Sequence, residues 1–307
     1  MSFAYHLCGY RIASEVALPD LLPWAGADSL PEIEITLGPV PDRLPDLHYD
    51  APFLQLGGDR DARVTIPAVA SFRIEEGSRI TVAPAAGGES AAIPLFLLRA
   101  AAPLLWLQRG LFAMRASAVE MDGRVVALAG GSGVGKSTLT AALLQAGHRL
   151  LSDDLTVIDS AADPVLVLPT SPMLRLWRDS LDALGIVPWA AVRRDPAMQK
   201  FEHRADTAFI PQPRPLSAIC YLEPLQRARP VTDRLLGGAA VQAVRSQAAR
   251  LNAAQQMGLE TALFLQASHI ARVPQLILRR PTAFGELRDF TQTLPTILRE
   301  AGVWSTP

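Results

Sequence analysis

The chain has 307 residues and a mass of 33.0 kDa, longer than one typical domain of roughly 100 to 200 residues, so two domains or one domain with a large extension are expected. Apolar residues make up 49% and charged residues 19%, which excludes a disordered chain. Lys+Arg 29 against Asp+Glu 30 leaves a net charge of −1, so no polybasic field exists for nucleic acid or an anionic membrane surface, and neither partner is expected.

The first ninety residues alternate short apolar runs with Pro, Gly and Asp, as in IEITLG (33–38), ARVTIP (62–67) and SFRIEEGSRITVAP (71–84). The last reads as two strands about a Glu-Glu-Gly turn, because Phe72 and Ile74 on one side and Ile80 and Val82 on the other alternate with polar neighbours, and Gly77 supplies the turn. A Gly/Ala/Pro stretch then gives way to an apolar, helix-like segment at 95–109, and a boundary is placed there. Residues 1–92 are expected to form a small β-rich domain and residues 93–307 a second domain.

From residue 116 onward strand-like and helix-like segments alternate: RVVALAG, KSTLTAALLQAG, HRLLSDD, VLVLP, a helix over 177–184, SAICYLE, helical runs over 239–269, QLILRR, and a last helix over about 282–301. Such alternation predicts an α/β fold with a mainly parallel sheet covered by helices. Two cysteines, Cys8 and Cys220, are far apart and lack CxxC spacing, which argues for neither a disulfide framework nor a zinc site and fits a reducing cytoplasm. The N-terminal MSFAYHLCGYRIASE has no basic stretch followed by an apolar core, and the longest apolar run, near 93–107, is broken by Pro94, Arg99 and Pro103. Neither a signal peptide nor a membrane span is expected.

The densest chemical signal is Gly130-Gly131-Ser132-Gly133-Val134-Gly135-Lys136-Ser137-Thr138, which fits GxxxxGK[ST] at every fixed position. An apolar run at 125–129 suited to a buried strand precedes it, and Leu139, Ala142, Leu143 and Ala146 follow at helical spacing with Gly147 as a stop. Phosphate oxygens require a concave array of backbone N–H groups, which glycines allow, and a helix N-terminus adds a favourable dipole. Lys136 would neutralise the β- and γ-phosphates of a nucleotide, and Ser137 would ligate Mg²⁺. Lysine occurs only at Lys136 and Lys200 in a chain that otherwise uses arginine, so its presence in the motif carries extra weight.

Sixteen residues after Ser137 the run LLSDD (150–154) ends in two carboxylates. Acidic groups at the C-terminal end of a strand lie where α/β sheets keep their sites. Adjacent side chains diverge there, so one aspartate can serve the metal while the other faces an incoming hydroxyl.

These residues resemble the HPr kinase/phosphorylase family, in particular its branch beside lasso-peptide biosynthesis genes. The likeness is carried by GGSGVGKST (130–138), QAGH (145–148) and LLSDD (150–154), with RGLFAMRASAV (109–119) upstream and PMLRLWRDSLDALG (172–185) downstream. The resemblance implies an HPr-kinase-like fold and Mg²⁺- and ATP-dependent phosphorylation of a serine on a protein or peptide, in this branch a lasso precursor near its C-terminus. By position it implies ATP phosphates on Gly130 to Thr138, Asp153 as the base or hydroxyl-orienting group, and Asp154 with Ser137 on the metal. Arg115 stands where these kinases carry a histidine, which argues against phosphorolysis and puts positive charge near the phosphates. The glycine-rich signature of bifunctional HPr kinases does not follow the acidic pair, so HPr itself is not the expected acceptor.

Two other residues are candidates. Lys200, in the basic and loop-like RRDPAMQKFEHR (193–204), could act as a point charge on phosphate or substrate or lie on a solvated loop; Arg175 reads as a surface residue or a phosphate contact. The histidines form no metal motif beyond Mg²⁺ chemistry, and the C-terminal helices could serve packing or a homo-oligomer. Two alternatives stand beside the kinase: a nucleotide-dependent binding module of a peptide-maturation system, and a small-molecule kinase.

Overall fold

Period-2 alternation in the first third of the chain forms strands, as its sequence predicts. The computed structural model describes residues 2–27, 29–58, 60–191, 200–225 and 229–304, and their contacts divide into two units, Met1–Ala113 with Ala249–Phe264, and Met114–Ala248 with Leu265–Pro307.

In the first unit nine strands, β1 (Phe3–Leu7), β2 (Tyr10–Ser14), β3 (Leu22–Pro23), β4 (Ile33–Leu37), β5 (Leu47–Ala51), β6 (Leu54–Gly57), β7 (Asp61–Ile66), β8 (Ala70–Glu75) and β9 (Arg79–Pro84), form one sheet in the order β3-β1-β2-β4-β9-β8-β7-β6-β5. The β8–β9 hairpin has the expected register, with Phe72 opposite Val82 and Ile74 opposite Ile80, all four buried. Glu76 and Gly77 both have positive φ at its turn.

The apolar stretch that follows is helical from Ile93 to Gln108: α1 (Ile93–Phe96), a π-helical turn (Leu97–Ala101) and α2 (Ala102–Gln108), with Pro94 in the first turn, where a missing N–H is harmless, and Pro103 directly after the π-helical turn. Residues Ser90–Gln108 are long and apolar enough to cross a membrane by hydropathy, 1.6 on average, yet most of this stretch is buried inside the unit, Leu97, Leu104 and Trp106 completely. Gln108 fastens its end to the hairpin: its side chain accepts from the Gly77 N–H at 2.8 Å and donates to the Ile74 carbonyl at 3.1 Å. The change from strands to helix near residue 92 therefore falls inside this unit, because a sheet with an apolar face needs a helix to cover it.

The second unit follows β10 (Phe112–Met114) and contains β11 (Ala116–Met121), β12 (Arg124–Ala129), α3 (Lys136–Gln145), β13 (Arg149–Ser152), β14 (Thr156–Asp159), β15 (Leu166–Leu168), β16 (Met173–Trp177), α4 (Arg178–Leu184), β17 (Ala190–Ala191), β18 (Lys200–Arg204), β19 (Arg214–Leu225), β20 (Val231–Leu235) and α5 (Gly237–Ser246). Helices α6 (Leu251–Gln256) and α7 (Glu260–Ile270), strand β21 (Gln275–Pro281) and α8 (Phe284–Glu300) complete the chain. The fold is mixed α/β, but the expectation of a mainly parallel sheet does not hold. Among the described residues β12–β19 and β19–β21 pair in parallel, while β11–β12, β11–β13, β14–β15, β15–β19 and β20–β21 are antiparallel. Continuous apolar runs report burial on both faces, which either pairing direction can supply. Here Asp122-Gly123, both at positive φ, close a tight hairpin that returns β12 beside β11.

One face of the β11-β12-β19-β21 core is covered by α3 and α8. Val126, Leu128, Cys220, Leu276 and Leu278 pack with Leu139 and Leu143 of α3 and with Leu287, Phe290, Leu294 and Leu298 of α8. Since β12, β19 and β21 run parallel, their C-terminal ends lie on one edge, and α3 starts there. A smaller sheet, ordered β16-β18-β17, carries Trp177 and Lys200 as register partners. Lys200 is thus on a strand rather than a loop, and Trp177 ends β16, with the helix beginning at Arg178. Residues 193–199 of the basic segment lie outside the described residues. Leu139→Ala is expected to lower the stability of this unit by about 2–5 kcal/mol, the usual cost of emptying a packed leucine site; denaturant melts that match wild type would contradict the packing described.

Candidate functional site

The glycine loop joins the end of β12 to the start of α3. Gly135 caps α3 in the left-handed region, with φ +88, and Gly130 has φ +138. A Cβ on Gly130 would sit 2.9 Å from the Leu222 carbonyl oxygen of β19, so backbone approach as well as φ requires glycine there. The first turn of α3 begins with Lys136 and Ser137, and the helix closes with Gly147 at φ +94, where the His148 N–H bonds back to Leu143. Lys136 Nζ turns over the loop and donates to the carbonyls of Gly130 and Gly131, 2.9 Å each.

Asp153 gathers the elements around it. Its Oδ1 accepts from Ser137 Oγ at 2.9 Å and from Ser117 Oγ at 2.6 Å, and its Oδ2 accepts from the Arg175 backbone N–H at 3.1 Å. One buried carboxylate thereby joins β11, α3 and β16 at the end of β13. Asp154 follows with φ +69, a left-handed conformation that Asp tolerates, and it lines a cavity of about 290 Å³. The same cavity is lined by Ser132 to Thr138, by Trp177, Asp179 and Lys200, and by Arg280 and Phe284. Of the loop residues predicted, Gly130 and Gly131 stand at its start, and Gly130 meets β19 rather than the cavity wall.

Arg175 is buried, not a surface residue: its guanidinium pairs with Glu202 at 3.1 Å, fixing β16 to β18. Arg115 is exposed between β10 and β11, and its backbone N–H bonds to Gln247. Its charge and that of Lys200 are both felt at Lys136, together with the opposing charges of Asp154 and Asp153. Lys200 Nζ also lies 5.7 Å from the centre of the Trp177 ring. Arg280 belongs to no motif; its signal in the sequence is a charged residue two positions after Leu278 in an alternating strand.

Hard oxygen donors at Ser137 and Asp153 suit Mg²⁺, which is held by one or two carboxylates plus phosphate oxygens rather than by a protein cage. Among the described residues no group of three or more His, Cys, Asp or Glu could hold a metal unaided.

No protein-family model matches the chain. An HPr kinase/phosphorylase of Chloroherpeton thalassium is 35% identical over 71 residues, 23% of this chain and 21% of that protein. The match spans about a fifth of that relative's length. Among solved structures, the Hpr(Ser) kinase/phosphatase from Coxiella burnetii aligns with 62% of this chain and 90% of that chain, at 14% identity and a TM-score of 0.34.

Burial lowers the Lys136 pKa from its ordinary 10.5, outweighing the nearby carboxylates. An anion against Nζ raises it again, so anion binding takes up protons at alkaline pH and weakens as pH rises through the lowered value. With two lysines in the chain, the Cε resonances are assigned by Lys136→Arg. The Lys136 signal should titrate below 10.5 in the free protein and shift upward with tripolyphosphate; a midpoint at or above 10.5 in the free protein would contradict this. Gly130→Ala, strained in φ and against Leu222, should cost about 1–3 kcal/mol in a thermal melt.

Proposed function

We propose that the chain is an Mg²⁺- and ATP-dependent kinase that transfers the γ-phosphoryl group to a serine hydroxyl of a peptide or protein. One observation carries the reading. A glycine loop opens α3 with Lys136 and Ser137, Ser137 donates to Asp153 at the end of β13, and Asp154 lines the same cavity. A cavity with Lys136, Lys200 and Arg280 on its walls suits a polyanion. The similarity to HPr kinase/phosphorylase supports the reaction class.

In this reading Gly130 to Thr138 cradle the phosphates, and Lys136 exchanges the Gly130 and Gly131 carbonyls for β- and γ-phosphate oxygens. Bound Mg²⁺ supplies charge neutralisation at the phosphates. Arg115 and Lys200 add positive field at Lys136. The resemblance gives the acceptor hydroxyl to Asp153 and the metal to Asp154 with Ser137; we favour exchanging the two. Both oxygens of Asp153 already accept hydrogen bonds, and the metal-side hydroxyl of Ser137 is one of the donors. Of the two adjacent aspartates, Asp154 is the one on the cavity wall, which it shares with Asp179. The acceptor oxygen attacks phosphorus in line, the bond from γ-phosphorus to the ADP oxygen breaks, and the hydroxyl proton passes to Asp154.

Trp177 and Phe284, partly exposed beside the cavity, offer apolar surface for an acceptor or a base. Among peptides, a lasso precursor near its C-terminus is the acceptor to try first, on the sequence resemblance, and the cytoplasm is the compartment in which such a precursor is made.

The test is intact-mass spectrometry of the peptide after incubation with Mg·ATP. A gain of about 80 Da is expected, absent with Lys136→Ala. Asp153→Asn should lose Mg·ATP binding, whereas Asp154→Asn should bind it and slow transfer by about 100-fold or more. Wild-type transfer by Asp154→Asn would remove it as the base. Tight ATP binding by the wild-type protein with no labelled polypeptide would favour the binding module, and labelling of a metabolite alone the small-molecule kinase.

A further inference from the structure

Along β21 the alternate residues Leu276, Leu278 and Arg280 face the core, with exposures of 0%, 0% and 4%. An arginine therefore occupies the place where the period-2 pattern calls for a third leucine. Removing a guanidinium from water is unfavourable unless its charge is compensated. Nη1 donates to the Pro281 carbonyl at 2.9 Å, and Nη2 to the carbonyls of Gly135 at 3.2 Å and Val134 at 3.4 Å. The Phe290 ring centre lies 5.8 Å from Cζ, and Nε has no hydrogen-bond partner. These groups are dipoles and a ring; among the described residues no carboxylate pairs with Arg280. Burial alone pulls its pKa down to about 10, which leaves it cationic at neutral pH.

The carbonyls it holds belong to the glycine loop. In a planar trans peptide the C=O and the following N–H point opposite ways. Fixing the Val134 and Gly135 carbonyls on Arg280 therefore turns the N–H groups of Gly135 and Lys136 away from it, at the start of α3. Arg280 also lines the cavity that Lys136 and Ser137 line.

We propose that Arg280 is the positioning residue of the phosphate site: it orients the loop amides from behind and is a buried positive charge whose counter-charge is a phosphate of the bound nucleotide. The proposal rests on the nucleotide reading of this cavity and adds to it a residue outside the motif.

Binding of Mg·ADP and of tripolyphosphate is measured by calorimetry for wild type, Arg280→Met, Arg280→Lys and, as a control, Arg279→Gln. Arg279 lies on the other face of β21 and pairs with Glu223 and Asp233. Arg280→Met should weaken both ligands by about 10- to 100-fold, the worth of a hydrogen bond to a charged group. Its ligand-free Tm should be no lower than wild type, because an apolar side chain removes an uncompensated buried charge. Arg280→Lys should fall between the two, and Arg279→Gln should bind as wild type. Wild-type affinity in Arg280→Met would overturn the proposal, as would a much lower ligand-free Tm with affinity retained, which would make Arg280 scaffold only. If wild type binds neither ligand, the nucleotide reading itself fails and this proposal with it.

Discussion

The arrangement of the second unit depends on one buried carboxylate. Asp153 is the point at which the Ser117 hydroxyl of β11, the Ser137 hydroxyl of α3 and the Arg175 amide of β16 converge. A carboxylate out of water is tolerated when its lone pairs are occupied by donors, and each donor here comes from a different element. The start of α3, and with it the glycine loop, is thus set by a bond to the sheet as well as by the helix's own packing through Leu139 and Leu143. Hydrogen bonds that accept onto a charge are stronger than neutral ones, so this junction holds Ser137 and Arg175, which line the cavity, from behind.

Around that junction the charges are graded by burial. Asp153 and Arg280 are almost fully enclosed, and Arg175 is enclosed but paired with Glu202, while Lys200 and Arg115 stand in more open positions. Buried charges fix geometry, because moving them exposes unpaired groups; open charges add field at little structural cost. The cavity is therefore strict where the glycine loop sits and permissive at the Trp177 and Lys200 side. That division suits the transfer proposed above, in which one small group is held accurately and a larger second reactant is admitted.

Local chemistry was legible in the sequence because it is written at short spacing. The loop needs its glycines, lysine and serine within nine residues, and the hairpin at Glu76-Gly77 needs only two alternating runs and a turn. The LLSDD run likewise placed both aspartates at the end of a strand. What depended on partners distant in sequence was not legible. Apolar runs looked the same for parallel and antiparallel pairing, and the Asp122-Gly123 turn decided the outcome at β12. Arg175 read as a surface residue because its partner, Glu202, is 27 positions away on β18. The helical stretch from Ile93 to Gln108 looked like the opening of a new domain, yet Gln108 binds the turn of the preceding sheet. Arg280 has no motif at all, and only its inward place on β21 gives it meaning.

Lys136 holds two carbonyls of its own loop, so the loop carries an internal competitor for the ammonium group. An incoming anion gains only the difference between its bonds and those it displaces. A singly charged ion offers little over two carbonyl dipoles, whereas a chain of linked phosphates engages the ammonium, the loop amides and the helix dipole together. In the nucleotide site proposed above, the loop would act as a threshold: selectivity for polyphosphate over the small anions of the surrounding solution would arise from what the lysine must give up.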